Sequence, residues 1–301
     1  MKQKTLAGIV TLSGKGLHIG RMSTVTIKPA APGSGYYFVR TDLDGSPRVR
    51  AIADNVNDTS RGTTVVENGV SVSTIEHLIS ATYAMGIDNA EFCIDGPEVP
   101  ILDGSARYYI AEYQKVGLVE QDAELDVRTI SEPIEYSNEK GTKIILSPSD
   151  SFSAQVLVDY GSAMPPQTAE LETLTNYATE ISACRTFVFL SEIEILLKMN
   201  LIKGGDLDNA IVIVDKILPQ SEYDRIASLL GKETMEAQTS GVLNNLKLQF
   251  ENEPARHKLL DIIGDLALCG YRFNARIDAV KPGHFANTQL SKQLRNYLQN
   301  K

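Results

Sequence analysis

The chain has 301 residues, 43% of them hydrophobic and 22% charged, and a formal net charge of −9. That is the composition of a soluble globular protein with enough chain for one large core or two ordinary ones, and its acidic balance argues against nucleic-acid binding, which needs a basic face. No apolar run approaches the ~20 residues of a membrane helix, the N-terminal run is too short for a signal peptide, and the three cysteines (Cys93, Cys184, Cys269) read as buried thiols of a cytoplasmic protein.

In chain order, "SGKGLHIG" imitates a dinucleotide fingerprint, but its last spacing is wrong. The alternating "STVTIKPA" that follows is a strand, so the glycines read as a hairpin turn. "STIEHLISATYAMG" reads as a helix with Ser73 as N-cap and Gly86 as its stop. "NAEFCID" is a strand and "GPEVPILDGSA" a loop. The polar, acidic "VEQDAELD" (119–126) is a candidate linker, dividing the chain into residues 1–122 and 123–301. "KIILSPSDSFSAQVLVDY" holds two strands around a turn. "RTFVFL", "SEIEILLKMN" and "NAIVIV" form a strand–helix–strand unit over about 185–214. "RHKLLDIIGD" lies in a helix that stops at Gly270, and "NARIDAV" is a strand followed by "KPGH". After Gly86 the chain reads "IDNAEFCIDGP", and after Gly270 "YRFNARIDAVKP". A helix, a glycine stop and a strand with Asn-Ala near its start recur, which suggests two halves of similar α/β build with a cleft between them.

The chemistry concentrates in "RHKLLDIIGD". A helix advances about 100° per residue, so with His257 at zero, Asp261 lies at roughly 40°, Asp265 at roughly 80° and Lys258 at roughly 100°. Residues four apart are neighbours, so His257 and Asp261 can touch one ion. The plainer reading is a solvated polar face. Gly264, on the polar side, would let something approach closely. Glu76 and His77 adjoin in another helix, where Ser73-x-x-Glu76 fits a capping box equally well. His284 falls in a loop after a strand, a common place for catalytic groups and also for merely exposed ones. Together His77, His257 and Asp261 make a nitrogen/oxygen donor set that zinc accepts; Glu76 could take a proton from water and His284 could deliver one. HExxH is absent, which excludes the common zinc-protease helix.

The motifs "SGKGLHIG", "STIEHL", "GIDNAEF", "PILDGSA", "CRTF", "KGGDLDNAIV", "RHKLLDIIGDL" and "KPGHFAN", in this order and over nearly the whole chain, resemble the UDP-3-O-acyl-N-acetylglucosamine deacetylases of lipid A synthesis. The resemblance implies an α+β fold of two similar two-layer α/β sandwich domains (β-α-α-β type) packed face to face, each with a small insert. It implies hydrolysis of the 2-acetamide of UDP-3-O-(3-hydroxyacyl)-N-acetylglucosamine with one Zn2+, a role Fe2+ could also fill. By this match His77, His257 and Asp261 are the metal ligands, Glu76 the general base, His284 the general acid and Asp265 its orienting carboxylate. Lys258 and Thr186 stand near the developing oxyanion. The unit 185–214 becomes an acyl passage, with Phe187, Ile193, Leu197, Met199, Ile202 and Gly205 along it, and Lys281 could meet the diphosphate. Ser60-Arg61-Gly62 departs from the more apolar residues expected at the passage mouth. Some members are fused to a dehydratase of fatty-acid synthesis; such a partner, fused or separate, would lie outside these 301 residues. Two other readings remain: an inactive zinc or nucleotide-sugar binding protein on the same fold, and a metal phosphoesterase, for which four histidines are few.

Overall fold

The structure is a computed structural model that describes residues 1–198, 203–206, 209–229, 235–243 and 246–300, without the side chains of Ser162, Glu194, Leu197 and Lys198. Among the described residues the helices are α1 (Glu76–Ala84), α2 (Arg107–Val116), α3 (Tyr177–Glu180), α4 (Leu190–Lys198), α5 (Gln220–Leu229), α6 (Glu253–Ala267) and α7 (His284–Gln299).

Two five-stranded sheets repeat one topology. The first runs in space Val10–Lys15, Met22–Pro29, Ala90–Ile94, Tyr36–Arg40, Arg48–Arg50; the second runs Ile134–Ser137, Lys143–Ser147, Arg276–Val280, Ser153–Val158, Gln167–Leu171. In each, the central strand is the last to occur in the chain. It pairs antiparallel with one neighbour and parallel with the other. Burial alternates along Met22–Pro29 and Ser153–Val158, as it must where a sheet covers a core with one face. The two strands expected in 143–160 both form, but Arg276–Val280 lies between them. The fold is thus the expected α+β pair of sheet-and-helix units, α1 and α2 on the first sheet's side and α6 and α7 on the second's.

The halves meet through α1 and α6. In α6 only Arg256 and Lys258 escape burial, so this helix is enclosed on its polar side as well as its apolar one. Gly264 makes the approach possible: a Cβ there would stand 2.3 Å from the Glu76 carbonyl oxygen. Ser80 Oγ donates to Leu260 O across the seam at 2.8 Å and accepts from Tyr177 Oη at 2.8 Å. At the seam's far end the Arg272 guanidinium donates to the carbonyls of Tyr83 and Ile87 and to Asp88, closing the C-terminus of α1 where carbonyls lack helical partners.

Each half carries an insert. Val56–Asp58, Thr64–Glu67 and Val70–Val72 form one small sheet; Phe187–Phe189, Ile211–Val214 and Gly241–Val242 form the other. In the second, α4 crosses between the parallel strands 187–189 and 211–214, the expected strand–helix–strand unit, extended by α5. It has its own apolar cluster of Leu190, Ile193, Val212, Val214 and Tyr223. Met199 and Ile202, and the side chain of Leu197, lie outside the described residues.

Three local expectations change. The segment read as a linker is mostly the strand Leu118–Glu124, paired with Lys2–Leu6. Helix α1 begins at Glu76, with Thr74 at φ +58°. Ser73 Oγ donates to Pro97 O, so no capping box forms. His284 is the first residue of α7 and not a loop residue.

Candidate active site

Five groups from three helices converge where α6 crosses α1. From α6 come His257 and Asp261, from α1 His77 and Glu76, and from the start of α7 His284. The solvated reading of the polar stripe fails: His257 and Asp261 are each 1% exposed and Asp265 is 0%.

His257 Nε2 lies 3.3 Å and His77 Nε2 4.0 Å from Asp261 Oδ1, and the two rings stand edge to face with centroids 5.0 Å apart. One ligand atom from each of the three residues lies within 4.8 Å of the others. His257 Nδ1 bonds Cys184 O at 3.0 Å, which leaves Nε2 as the free acceptor. Asp261 Oδ2 accepts from Lys258 Nζ at 2.7 Å, whereas Oδ1 is buried without a hydrogen-bond partner. Burial depresses the pKa of His77 to about 3 and lowers that of His257, which keeps both rings neutral, the form that ligates metals. Two imidazoles and a carboxylate oxygen without a hydrogen-bond partner therefore converge on one point. This is a donor set that a divalent cation satisfies. The residues fit a metal ion.

Two proton-transfer groups flank the cluster. Burial raises the Glu76 pKa to about 7; its Oε2 accepts from Thr63 N at 2.9 Å, which fixes the carboxylate without a cap. His284 Nδ1 lies 2.9 Å from Asp265 Oδ2, and its Nε2 stands 4.0 Å from both Glu76 Oε1 and Asp261 Oδ2. Burial opposes charge on this ring, but the carboxylates of Asp265, Asp261 and Glu76, Asp265 foremost, together outweigh it and raise the pKa to about 9. The ring is held as an imidazolium with Nε2–H facing the cluster. Burial likewise opposes the Lys258 ammonium, yet Asp261 raises its pKa overall. Lys258 Nζ lies 5.3 Å from the Phe187 ring centroid. Both proton-transfer groups thus have raised pKa values, Glu76 toward neutrality and His284 above it, which suits a base and an acid that work at the same pH.

A cavity of about 200 Å³ holds this cluster, walled by Leu17, Arg61, Thr186 and Phe187. The same four residues also line a second cavity of about 410 Å³ that runs along the second insert past Val188, Ile193, Leu196, Gly205 and Val212. Thr186 and Phe187 thus line both cavities, and Ile193 and Gly205 line the second. Lys281 stands apart: its ammonium pairs with Asp159 at 3.0 Å, and it lines neither cavity.

Residues that sequence reasoning missed support the site from behind. Thr63 is fully buried; besides holding Glu76 through its N–H, its Oγ1 donates to Asp265 Oδ1 at 2.5 Å. Asn287 Nδ2 donates to Asp265 Oδ2 at 2.9 Å. Arg185 donates to the buried Glu253 through its backbone and its guanidinium, tying Thr186 and the strand Phe187–Phe189 that follows it to the start of α6. Asn287 could have been found, since it lies three residues after His284 on one helix face. Thr63 had no local signal.

Residues 3–228 and 229–296 match the family model of the UDP-3-O-acyl N-acetylglycosamine deacetylases, LpxC. The chain belongs to that family. It is 50% identical over 300 residues to the "Bifunctional enzyme LpxC/FabZ" of Bacteroides thetaiotaomicron, covering 99% of this chain and 65% of that protein. It is 46% identical over 299 residues to the protein of the same name from Porphyromonas gingivalis, again 99% and 65%. To the "UDP-3-O-acyl-N-acetylglucosamine deacetylase" of Myxococcus xanthus it is 38% identical over 295 residues, 97% of this chain and 86% of that one. The chain thus spans just under two thirds of the length of its bifunctional LpxC/FabZ relatives. No described helix is long and apolar enough to cross a membrane.

Proposed function

We propose that this protein hydrolyses the 2-acetamide of UDP-3-O-acyl-N-acetylglucosamine and releases acetate. The observation that carries this reading is the donor cluster of His77, His257 and Asp261, set between a proton acceptor and an imidazolium at the head of an apolar cavity, in a chain of the LpxC family. Zinc is the metal proposed, since two imidazoles and one carboxylate leave a tetrahedral ion a fourth position; iron(II) suits the same donors. A divalent ion held there supplies Lewis acidity, acidifying water and polarising the acetamide carbonyl.

The chain's own residues do the rest. Glu76 accepts a proton from the water as its oxygen bonds to the acetamide carbon. Lys258 and Thr186 line the same cavity, and their ammonium and hydroxyl donate to the oxygen that gains charge. The C–N bond then breaks, and His284 Nε2–H gives its proton to the departing nitrogen, so the sugar amine leaves neutral. Asp265 holds His284 oriented and charged for that step. Residues Phe187, Ile193, Leu196 and Val212 exclude water from the acyl chain, with Gly205 beside them. Lys281 is kept as a diphosphate contact only if the nucleotide displaces Asp159 from it.

On this reading residues 1–122 supply Glu76 and His77, and residues 123–301 supply the remaining groups and the passage. A cytoplasmic setting fits the three unpaired buried thiols, and the names of the bifunctional relatives make a fatty-acid dehydratase, fused or separate, a reasonable partner. An inactive binding protein is not favoured, because both proton-transfer groups are in place. The test is metal analysis alongside acetate release from the acylated UDP-sugar. Bound metal with no acetate released would overturn the enzymatic reading.

A further inference from the structure

Arg61 is exposed and, among the described residues, has neither a carboxylate nor a hydrogen-bond partner, yet it lines both the metal-ligand cavity and the apolar one. Its backbone is well fixed. Just before it, Asp58 Oδ1 accepts from Ser60 N and Ser60 Oγ at 3.0 and 2.8 Å. Just after it, a Cβ on Gly62 would lie 2.7 Å from Glu76 Oε1, and Thr63 N holds that same carboxylate. The guanidinium is therefore carried on a segment indexed to the catalytic centre. Of the four residues shared by the two cavities it alone is charged, the others being Leu17, Thr186 and Phe187.

What lies at that shared wall follows from the connectivity of the sugar, given the activity proposed above. The acetamide is on C2 and must reach His77, His257 and Asp261. The acyl ester is on the oxygen of C3, one carbon further on, and its chain must enter the apolar cavity. The diphosphate is on C1, the other neighbour of C2, and so points away from the passage. The group that crosses the wall between the cavities is thus the ester at O3. An ester carbonyl is an uncharged acceptor with no donor of its own; a guanidinium is a permanent cation with five donors in a planar fork.

We propose that Arg61 donates to the ester carbonyl of the 3-O-acyl group and is a residue by which this enzyme distinguishes acylated from unacylated UDP-sugar. The contact also places the C3–O bond at the wall, which sets the C2 acetamide over the metal ligands. An apolar side chain at this position could cover the first methylenes of the acyl chain but could not read its carbonyl.

The experiment compares kcat/KM for acetate release from UDP-3-O-acyl-N-acetylglucosamine and from UDP-N-acetylglucosamine, using the metal-loaded full chain and the variants Arg61→Leu, Arg61→Gln and Arg61→Lys. The expected result is that the ratio of the two values falls roughly 10- to 100-fold in Arg61→Leu, the worth of one hydrogen bond from a charged donor. Arg61→Gln and Arg61→Lys should recover part of it. Thermal unfolding and metal content identify a variant that has failed to fold, and the Gln and Lys variants then decide. If both substrates suffer equally, Arg61 meets the diphosphate and the proposal is wrong. If neither suffers, Arg61 is a solvated rim charge and the proposal is equally wrong. Wild-type protein that releases acetate from neither sugar would instead remove the deacetylase reading beneath it.

Discussion

Thr63 Oγ1 lies 2.5 Å from Asp265 Oδ1, although the residues are 202 positions apart and belong to different halves. Through its N–H the same residue holds Glu76. One residue thus links the Glu76 carboxylate, through its backbone, to the Asp265 carboxylate, through its side chain. Thr63→Val keeps the volume and the N–H but removes the hydroxyl. We expect kcat to fall about 10-fold or more, as for loss of a hydrogen bond to a charged group, with KM and metal content little changed, and Thr63→Ser to restore most of the rate. An unaltered kcat in the Val variant would make this bond structural only.

His77→Ala, His257→Ala and Asp261→Ala should each lose bound metal and activity together. Three protein donors are the usual set for a catalytic zinc, so removing any one leaves too few to hold the ion. Metal content per chain, measured by elemental analysis after dialysis, checks this. Full occupancy in His257→Ala would remove α6 from the metal site.

Glu76→Ala should retain its metal and lose roughly 10²–10⁴-fold in rate, the range for general acid–base catalysis. Because Ser73 bonds Pro97 and no capping box forms, helix α1 should not unravel at its start. A variant that keeps its rate while its melting temperature drops would argue against the catalytic assignment.

The pH dependence of kcat/KM should be bell-shaped, with Glu76 needed as carboxylate and His284 as imidazolium. Without a metal, burial sets Glu76 near 7, and the carboxylates around His284, Asp265 foremost, work against burial to set it near 9. A nearby dication favours the carboxylate and disfavours the imidazolium, so both limbs should lie below those values in the loaded enzyme. Asp265→Asn removes the charge that favours the imidazolium. The His284 pKa then falls, and the alkaline limb moves to lower pH. His284→Ala should abolish or displace that limb and leave the acidic one. The limbs are properties of the coupled set, so the comparison of variants is what decides. An alkaline limb untouched in His284→Ala would pass the role to another donor, with Lys258 first in line.

Gly264→Ala should destabilise the protein despite alanine's better helix propensity. The propensity gain is about 1 kcal/mol, but the new methyl would stand 2.3 Å from the Glu76 carbonyl oxygen. Overpacking of this kind costs typically 1–3 kcal/mol, and parting α1 from α6 also spreads the ligand set. Calorimetry should show a lower melting temperature, with weaker metal binding. A variant as stable as the parent would mean that the seam yields easily.

What the sequence made legible was what one helix repeats. The interval of four in His257, Asp261 and Asp265 is a local property of α6 and survives without knowledge of its surroundings. The same periodicity left open whether the stripe faced water or protein, because that depends on α1, nearly two hundred residues earlier. Gly264 was readable as a point of close approach but not as the seat of Glu76. Thr63 was illegible because its two bonds run to a helix 13 residues on and to another 202 residues on. The acidic stretch 119–126 resembled a linker because the strand that holds most of it, Leu118–Glu124, is largely solvated and rests on a single partner. His284 was placed in a loop because it closely follows a strand; the proline and glycine before it also suit the opening of a helix.

The central strand of each sheet is the last of its strands to be synthesised. On a growing chain the first sheet can close once Ala90–Ile94 has emerged, since its other strands are already made. The second stays split into two hairpins, Ile134–Ser137 with Lys143–Ser147 and Ser153–Val158 with Gln167–Leu171, until Arg276–Val280 slides between them. The whole second insert and α6 are made before that strand arrives. Residues closing the sheet are thus followed at once by His284, so the last strand pairing among the described residues and the assembly of the cluster around His77, His257 and Asp261 coincide. Truncation even a few dozen residues short of the end would leave two open strand edges, and exposed edges invite aggregation.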